Sequence, residues 1–256
     1  MTRKFLCALG LAATLPLSLA LVGPAVAAPS MAAADQAAPY ALRFTFDNGE
    51  TLSAGSRVID SSGLGNNGTV RGVNGGRLRS VKGYSGRSAQ FPTPCRESTC
   101  PRAVISVPNG SGLNPGLADF SFGVAVRVTR SQVAKGYDSN LIQKGLWSSP
   151  SQWKLQLDGA RAWPVCVFAG MRDGAFRRVS LMSGSGIADG EWHKLSCERT
   201  ATTVRLVVDA KVTVRVSFRA VRLSDSSAVT IGGRAPVKSD NDQFFGTMDR
   251  VFVSRG

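Results

Sequence analysis

The sequence predicts an all-β protein, an antiparallel sandwich or jelly roll, and three observations carry that reading. Between Trp192 and Phe218 three runs alternate apolar and polar residues, and the segments Arg199–Thr202 and Asp209–Lys211 are just long enough to reverse the chain between them. About a dozen short runs of strand character follow one another along the chain, most of them separated by Gly-containing turns. No segment has the 3.6-residue periodicity of an amphipathic helix.

The chain is 256 residues long, and its start is not part of the fold. Arg3 and Lys4 precede an apolar run from Phe5 to Val22, and Ala25-Val26-Ala27 forms a small-residue cleavage pattern. Residues 1–27 therefore read as a secretory signal peptide, and the Ala- and Pro-rich residues 28–39 as a disordered lead-in. No later run reaches the roughly 18 continuous apolar residues of a membrane helix. Residues 40–256 are long enough for one β domain with a full two-sheet core.

Within that domain, Ala41–Phe46 alternates and is the first strand, ending at Asp47. Asp60 to Thr69 is dense in side-chain oxygens and in residues tolerant of positive φ, and reads as a loop. Arg87–Phe91 is a short strand entering a Pro-containing loop, and Ala103–Val107 follows. Phe120–Thr129 alternates, with Arg127 on the face opposite Val124, Val126 and Val128. Leu141–Gly145, Trp153–Leu157, Pro164–Ala169 and Phe176–Leu181 are further short strands. After the Trp192–Phe218 meander come Ala228–Gly233 and a last strand, Phe245–Ser254.

Cys7 leaves with the signal peptide, so Cys95, Cys100, Cys166 and Cys197 remain, and an even count in an exported chain reads as two disulfides. Four cysteines allow three connectivities. Cys95–Cys100 with Cys166–Cys197 is favoured, because the first two bracket a short loop and the second two lie within strand-like runs. One histidine and no C-x-x-C argue against a zinc site.

The chain carries +14, and without Arg3 and Lys4 it carries +12. Such a charge favours anionic polymers, acidic polysaccharides or phospholipid headgroups. Arg outnumbers Lys 23 to 8, however, so the alternative is an Arg-rich coding bias written onto solvated faces. Nucleic-acid binding would be the non-specific consequence of the same charge.

The ordered motifs resemble a known family. A first strand ending in Phe46-Asp47 is followed by D-S-S-G-x-G-N-N-G-T from Asp60, then by the D-G-E-W-H segment from Asp189, V-x-L-V-V-D to Asp209, I-G-G at Ile231, and F-x-G-x-M-D-x-V-x-V from Phe244 to Val253. In this order they resemble the laminin G-like, concanavalin A-like lectin/glucanase superfamily in a bacterial exported form, over nearly the whole mature chain. The resemblance implies a jelly-roll sandwich of two curved antiparallel sheets, used as a binding module and often holding calcium. It also implies a packing role for His193. Ala210 departs from the pattern, which has Gly after the hairpin Asp.

Catalytic chemistry finds little support. The glucanases of that superfamily use E-x-D-x-x-E, which places carboxylates on one strand face, and the four glutamates here, Glu50, Glu97, Glu191 and Glu198, do not fall in that spacing. No G-x-S-x-G is present. His193 with Tyr40, Tyr84 or Tyr137 is the one pair a lyase could draw on. For calcium, Asp47, Asp60, Asn66 and Asp249 are the oxygen ligands to expect, with Asp47 and Asp249 meeting if the first and last strands pair; alternatively Asp60 and Asn66 merely close turns. Trp147 and Trp153, with Trp163, offer flat faces to a sugar, while Trp192 reads as core. Arg127, Lys154, Arg205 and Arg215 lie on the less apolar face of their strands and would form a cationic groove if the sheets align them, or a solvated face if not. The expectation is a secreted, non-catalytic module for a glycan or anionic cell-envelope polymer. A hydrolase or lyase with an unrecognised site and a protein adhesion module are the rivals.

Overall fold

The computed structural model describes residues 40–95, 97–133, 138–238 and 241–256. The segments expected to be a signal peptide and a lead-in, residues 1–39, lie outside them. Alternation of side chains sets the strands. In chain order the first six are β1 (Tyr40–Phe44), β2 (Arg57–Val58), β3 (Gly68–Val73), β4 (Arg79–Lys82), β5 (Arg87–Gln90) and β6 (Arg102–Val107). Next come β7 (Phe120–Thr129), β8 (Ser139–Lys144), β9 (Gln152–Asp158), β10 (Trp163–Arg172) and β11 (Ala175–Met182). The meander is β12 (Asp189–Arg199), β13 (Thr203–Val208) and β14 (Lys211–Ser217), and β15 (Val229–Ile231) and β16 (Thr247–Arg255) complete the series.

They form two antiparallel sheets. The first has the order β14-β13-β12-β7-β16-β5-β4, with β1 also paired to β16. The second has the order β11-β10-β9-β8-β15-β6-β3-β2. The first and last strands of the chain are thus neighbours, Phe44 opposite Val251. In β7 the inward phase, Phe120, Phe122, Val124, Val126 and Val128, is buried throughout. Gly123 sits on the other phase, where an added Cβ would lie 2.2 Å from the Leu195 carbonyl oxygen, so only glycine lets β12 pair this closely beside the Phe252 ring.

The two sheets meet around an aromatic cluster. The Phe122 ring lies 4.7 Å from that of Trp153 and 5.6 Å from that of Phe168, and Phe120 lies 5.3 Å from Trp153. Cys166 of β10 and Cys197 of β12 form a disulfide across the sheets, with Cα atoms 5.7 Å apart. The second disulfide, Cys95–Cys100, closes the loop after β5. Both pairings are the locally favoured ones. Arg199 is buried at the end of β12, where its guanidinium donates to the carbonyls of Gly116 (3.2 Å), Val221 (2.8 Å) and Ala118.

Three elements depart from the sequence reading. β1 stops at Phe44, because Phe46 turns to a φ of 58°. β3 and β4 are strands although Gly68-Thr69-Val70-Arg71-Gly72 carries little strand signal; their pairing with β6 and β5 creates them. Trp192 is not core. It lies half-buried on the outer face of the first sheet, with the Arg127 guanidinium 5.2 Å over its ring and Tyr84 edge-on at 6.1 Å.

Candidate functional site

On β9 the phase Trp153, Leu155 and Leu157 enters the core, so Gln152, Lys154, Gln156 and Asp158 point to the outer face of the second sheet. Pairing extends this outer face sideways. Gln156 stands opposite Asn140 on β8 and Val165 on β10, and Lys154 opposite Gln143 and Val167. Gln152 is opposite Ala169, which is in turn opposite Arg178 on β11, and Gln143 is opposite Thr230 on β15.

These outward polar side chains are nevertheless buried: Asn140 is 0%, Gln152 2%, Gln143 4% and Gln156 5% exposed. Two segments wall them in. On one side the chain after β15 folds onto the sheet: the Asn140 N–H donates to the Asp242 carbonyl (2.9 Å), and Gln243 bonds both backbone groups of Ala103. On the other side the β8–β9 loop carries Trp147, which is 65% exposed, and the Arg178 guanidinium lies 3.4 Å over its ring and donates to the Trp147 carbonyl. Phe176 and Met182, both exposed, continue that rim along β11. The result is a trough with a floor of amides and small apolar side chains.

The polar atoms of the floor are incompletely satisfied. Asn140 Nδ2 donates to Gln143 Oε1 (2.8 Å) and Asp242 Oδ2 (3.2 Å), Gln152 Nε2 to the Gly145 carbonyl (3.2 Å), and Gln156 Nε2 to Asp158 Oδ1. Asn140 Oδ1, Gln152 Oε1, Gln156 Oε1, Thr230 Oγ1 and Arg178 Nε are buried without a partner. Five such atoms on one face, where buried polar groups are otherwise hydrogen-bonded, mark it as the candidate site.

Charges of both signs lie on this face. Burial lowers the Lys154 pKa, against the attraction of Asp242, Asp138 and Asp158. Burial, with the like charge and hydrogen bond of Asp138, pushes the Asp158 carboxyl up to about 6. A surface depression elsewhere, lined in part by Phe46, Leu52 and Arg79, has no buried unpartnered side-chain atom among the described residues.

The sequence candidates divide between these surroundings. Lys154 and Trp147 belong to the trough. Trp153 does not: it is 1% exposed and packed on Phe120 and Phe122, because its strand phase faces inward. The expected cationic groove does not form. Arg127, Arg205 and Arg215 lie on the outer face of the first sheet, the other sheet from Lys154; Arg127 stacks on Trp192, Arg205 pairs with Glu198, and Arg215 stands beside Arg205 on the edge strand β14. Asn140, Gln143, Gln152 and Gln156 went unrecognised in the sequence, where the only sign was the uniformly polar alternate phase of residues 152–158.

The four expected calcium ligands also separate. Both oxygens of Asp60 are taken by the Arg43, Ser62 and Asn66 N–H groups and the Ser62 hydroxyl at 2.7–2.9 Å, and Asn66 Nδ2 donates to the Ala41 carbonyl, so these two close the loop onto β1. Asp47 and Asp249 meet instead at the β4–β5 turn. Asp47 Oδ1 accepts from the Arg87 N–H (2.9 Å) and the fully buried Asp249 from the Ser85 N–H (3.0 Å). A Cβ on Gly86 would lie 2.2 Å from Asp47 Oδ1, and one on Gly83 2.8 Å from Asp249 Oδ2, so glycines admit both carboxylates. Burial, with the nearby Asp47 charge, raises the Asp249 pKa. Among the described residues no three His, Cys, Asp or Glu side chains gather to hold a metal.

The single histidine is engaged as well. His193 Nδ1 lies 2.7 Å from Asp209 Oδ2 and Nε2 lies 3.1 Å from Asp189 Oδ2. No tyrosine hydroxyl is among its partners.

Comparison with known proteins agrees with this architecture. Residues 167–256 match the sequence family described as Laminin G domain. The fold is a jelly roll of two antiparallel sheets. A search of the curated proteins finds no match. Among solved structures, domain 4 of AbnA, a GH43 extracellular arabinanase from Geobacillus stearothermophilus solved with arabinotriose, is similar at a TM-score of 0.57 and 17% identity, over 86% of this chain and 93% of that one. The binding domain of botulinum neurotoxin DC, solved with rat synaptotagmin II, gives a TM-score of 0.56 at 10% identity, over 84% of this chain and 48% of that one. The same toxin domain solved with SialylT gives 0.51 at 9% identity, over 82% and 48%. These likenesses concern the fold.

Proposed function

We propose that this protein is a secreted, non-catalytic module that binds a glycan in the trough on the outer face of the second sheet. The observation that carries the reading is the Trp147 ring, 65% exposed on the β8–β9 loop beside this amide-rich face. A sugar offers a C–H face to the exposed Trp147 ring and hydroxyls to the polar groups at the rim. The similar AbnA domain was solved with arabinotriose and the toxin binding domain with SialylT, which supports a saccharide as ligand. A non-catalytic role is supported by Asp158, whose carboxyl is hydrogen-bonded to Asp138 and so not held at the roughly 5 Å separation of a retaining glycosidase pair from it. Two disulfides and the signal peptide support export.

Calcium belongs to the proposal at Asp47 and Asp249 only. Two carboxylates held against one glycine-bearing turn would offer a hard cation the lone pairs left over from the Arg87, Ser85 and Arg250 N–H groups, completed by backbone carbonyls. Such an ion would neutralise their repulsion and fix the turn.

The test is binding of the mature protein to neutral and acidic polysaccharides and to purified cell wall, with calcium or chelator, at about 0.15 and 0.5 M salt. Binding that survives the higher salt and is lost in Trp147→Ala supports the module. Binding to polyanions alone, abolished by salt and indifferent to Trp147, would leave only the net charge and sink the proposal.

A further inference from the structure

The two sheets end in the edge strands β2, β4, β11 and β14, and β1 is paired on one side only. An open edge is a template for a strand of another chain, and most of these edges are blunted. β2 has 2 residues, and β4 has 4, with Arg79 and Lys82 exposed at its ends. β14 is broken by a register shift between Leu206 and Val207. The far side of β1 is covered by the Asp60 loop, because Arg43 donates its N–H to Asp60 Oδ1 and its carbonyl accepts from the Ser61 N–H. β11 has none of these protections among the described residues. Its 8 residues pair with β10 without a shift and include neither proline nor lysine.

Which backbone groups of β11 are open follows from its turn. Asp173 and Gly174 hold φ of 50° and 76°, the two-residue reversal that closes on the hydrogen-bonded pair Arg172 and Ala175. Alternation from that pair commits Ala175, Arg177, Val179 and Leu181 to β10, and the Ser183 N–H continues the series on the Pro164 carbonyl (2.9 Å). Phe176, Arg178, Ser180 and Met182 therefore turn their N–H and C=O groups to the free edge. Phe176 and Met182, at the two ends of that run, are 45% and 51% exposed.

We propose that β11 pairs antiparallel with β11 of a second copy of this chain, about a two-fold axis at Val179. The strand is complementary to itself in that register. Phe176 stands opposite the partner's Met182 and Arg178 opposite the partner's Ser180, so the open backbone groups of all four residues are matched. The two exposed apolar side chains cover each other, an aromatic ring against a thioether. No arginine faces an arginine, whereas a two-fold moved to Arg178 would set that residue against its own copy. The Arg178 guanidinium is in any case held on the Trp147 ring of the β8–β9 loop, on the side away from the free edge. An axis perpendicular to a continuous sheet keeps both outer faces on one side. The two troughs then face the same way, and a polymer can engage both. That consequence rests on the glycan reading above; the pairing itself does not.

The experiment is sedimentation velocity of the mature protein, without any saccharide, from about 1 to about 100 μM. The expected result is a monomer that becomes a dimer as concentration rises. Ser180→Arg places an arginine opposite Arg178 at both ends of the interface and should weaken association at least about tenfold, with an unchanged urea midpoint at about 1 μM. Val179→Cys sets two cysteines directly opposite each other and should give a disulfide-linked dimer on mild oxidation. Ser180→Cys, whose copies lie diagonally at roughly 7–8 Å, should not cross-link. A monomer at about 100 μM with no cross-link through Val179→Cys would overturn the proposal and leave the glycan reading standing. A dimer that Ser180→Arg leaves intact would put the interface elsewhere and overturn it equally.

Discussion

The His193 imidazole joins two turns: Nδ1 lies 2.7 Å from Asp209 at the β13–β14 reversal, and Nε2 lies 3.1 Å from Asp189 at the start of β12. Burial lowers its pKa, but the hydrogen bonds and charges of the two aspartates outweigh that and hold it above 6.5. A raised histidine stabilises the fold fully below its unfolded value and loses that contribution as pH climbs through the folded one. Melting temperature should therefore fall as pH rises from about 6 to 8, and His193→Gln should flatten that slope. An unchanged slope in the variant would refute the assignment.

Asp158 acts in the same direction at lower pH. With its folded pKa raised to about 6, its protonated form is the one the trough prefers. The contribution is complete below the usual carboxylate range and is lost as pH rises through 6. Asp158→Asn should be more stable than the parent at pH 7.5 and no more stable at pH 3.5, read from urea midpoints.

Ala210 follows Asp209 in a hairpin turn where both residues hold positive φ, 51° and 64°. This is the geometry that favours Asp-Gly, because a Cβ in the left-handed region is strained. Ala210→Gly should raise stability by about 1 kcal/mol with an unchanged m value. Destabilisation would mean that the methyl group makes a contact worth more than the strain.

Arg199 is 1% exposed and satisfies the carbonyls of Gly116, Ala118 and Val221 from β12. Arg199→Met orphans all three, and a loss of about 3 kcal/mol or more is expected by denaturant unfolding. Arg199→Lys should recover only part, since an ammonium lacks the planar fork.

Removing Cys166–Cys197, which spans 31 residues and joins the sheets, should cost about 3–4 kcal/mol. The paired substitution of Cys95 and Cys100, only 5 residues apart, should cost clearly less. Equal losses in guanidinium melts would contradict a loop-closure origin.

Much of the fold was legible. The meander and the apolar phase of β7 follow from period-two alternation, which operates over a few residues and shows directly in sequence, and the cysteine pairing from the short loop that Cys95 and Cys100 bracket and the strand-like runs that hold Cys166 and Cys197. β3 was hidden because Gly68 and Gly72 give it little intrinsic preference; β6, thirty residues on, makes it a strand. The site was less legible. Trp147 and Lys154 were found from residue type, whereas Trp153 was assigned to the wrong side of its sheet and Arg127, Arg205 and Arg215 to the wrong sheet for a shared groove with Lys154.

By itself the sequence determined that this is an all-β, disulfide-linked chain and which residues alternate on each strand. The tertiary structure alone decided that one outward polar phase is enclosed. The groups enclosing Asn140 come from Asp242, 102 positions away, and the Trp147 loop at the other side is held by Arg178 on a separate strand. Alternation states which side chains share a face. Whether that face meets solvent or a wall depends on distant segments folding over it, and no local pattern records that.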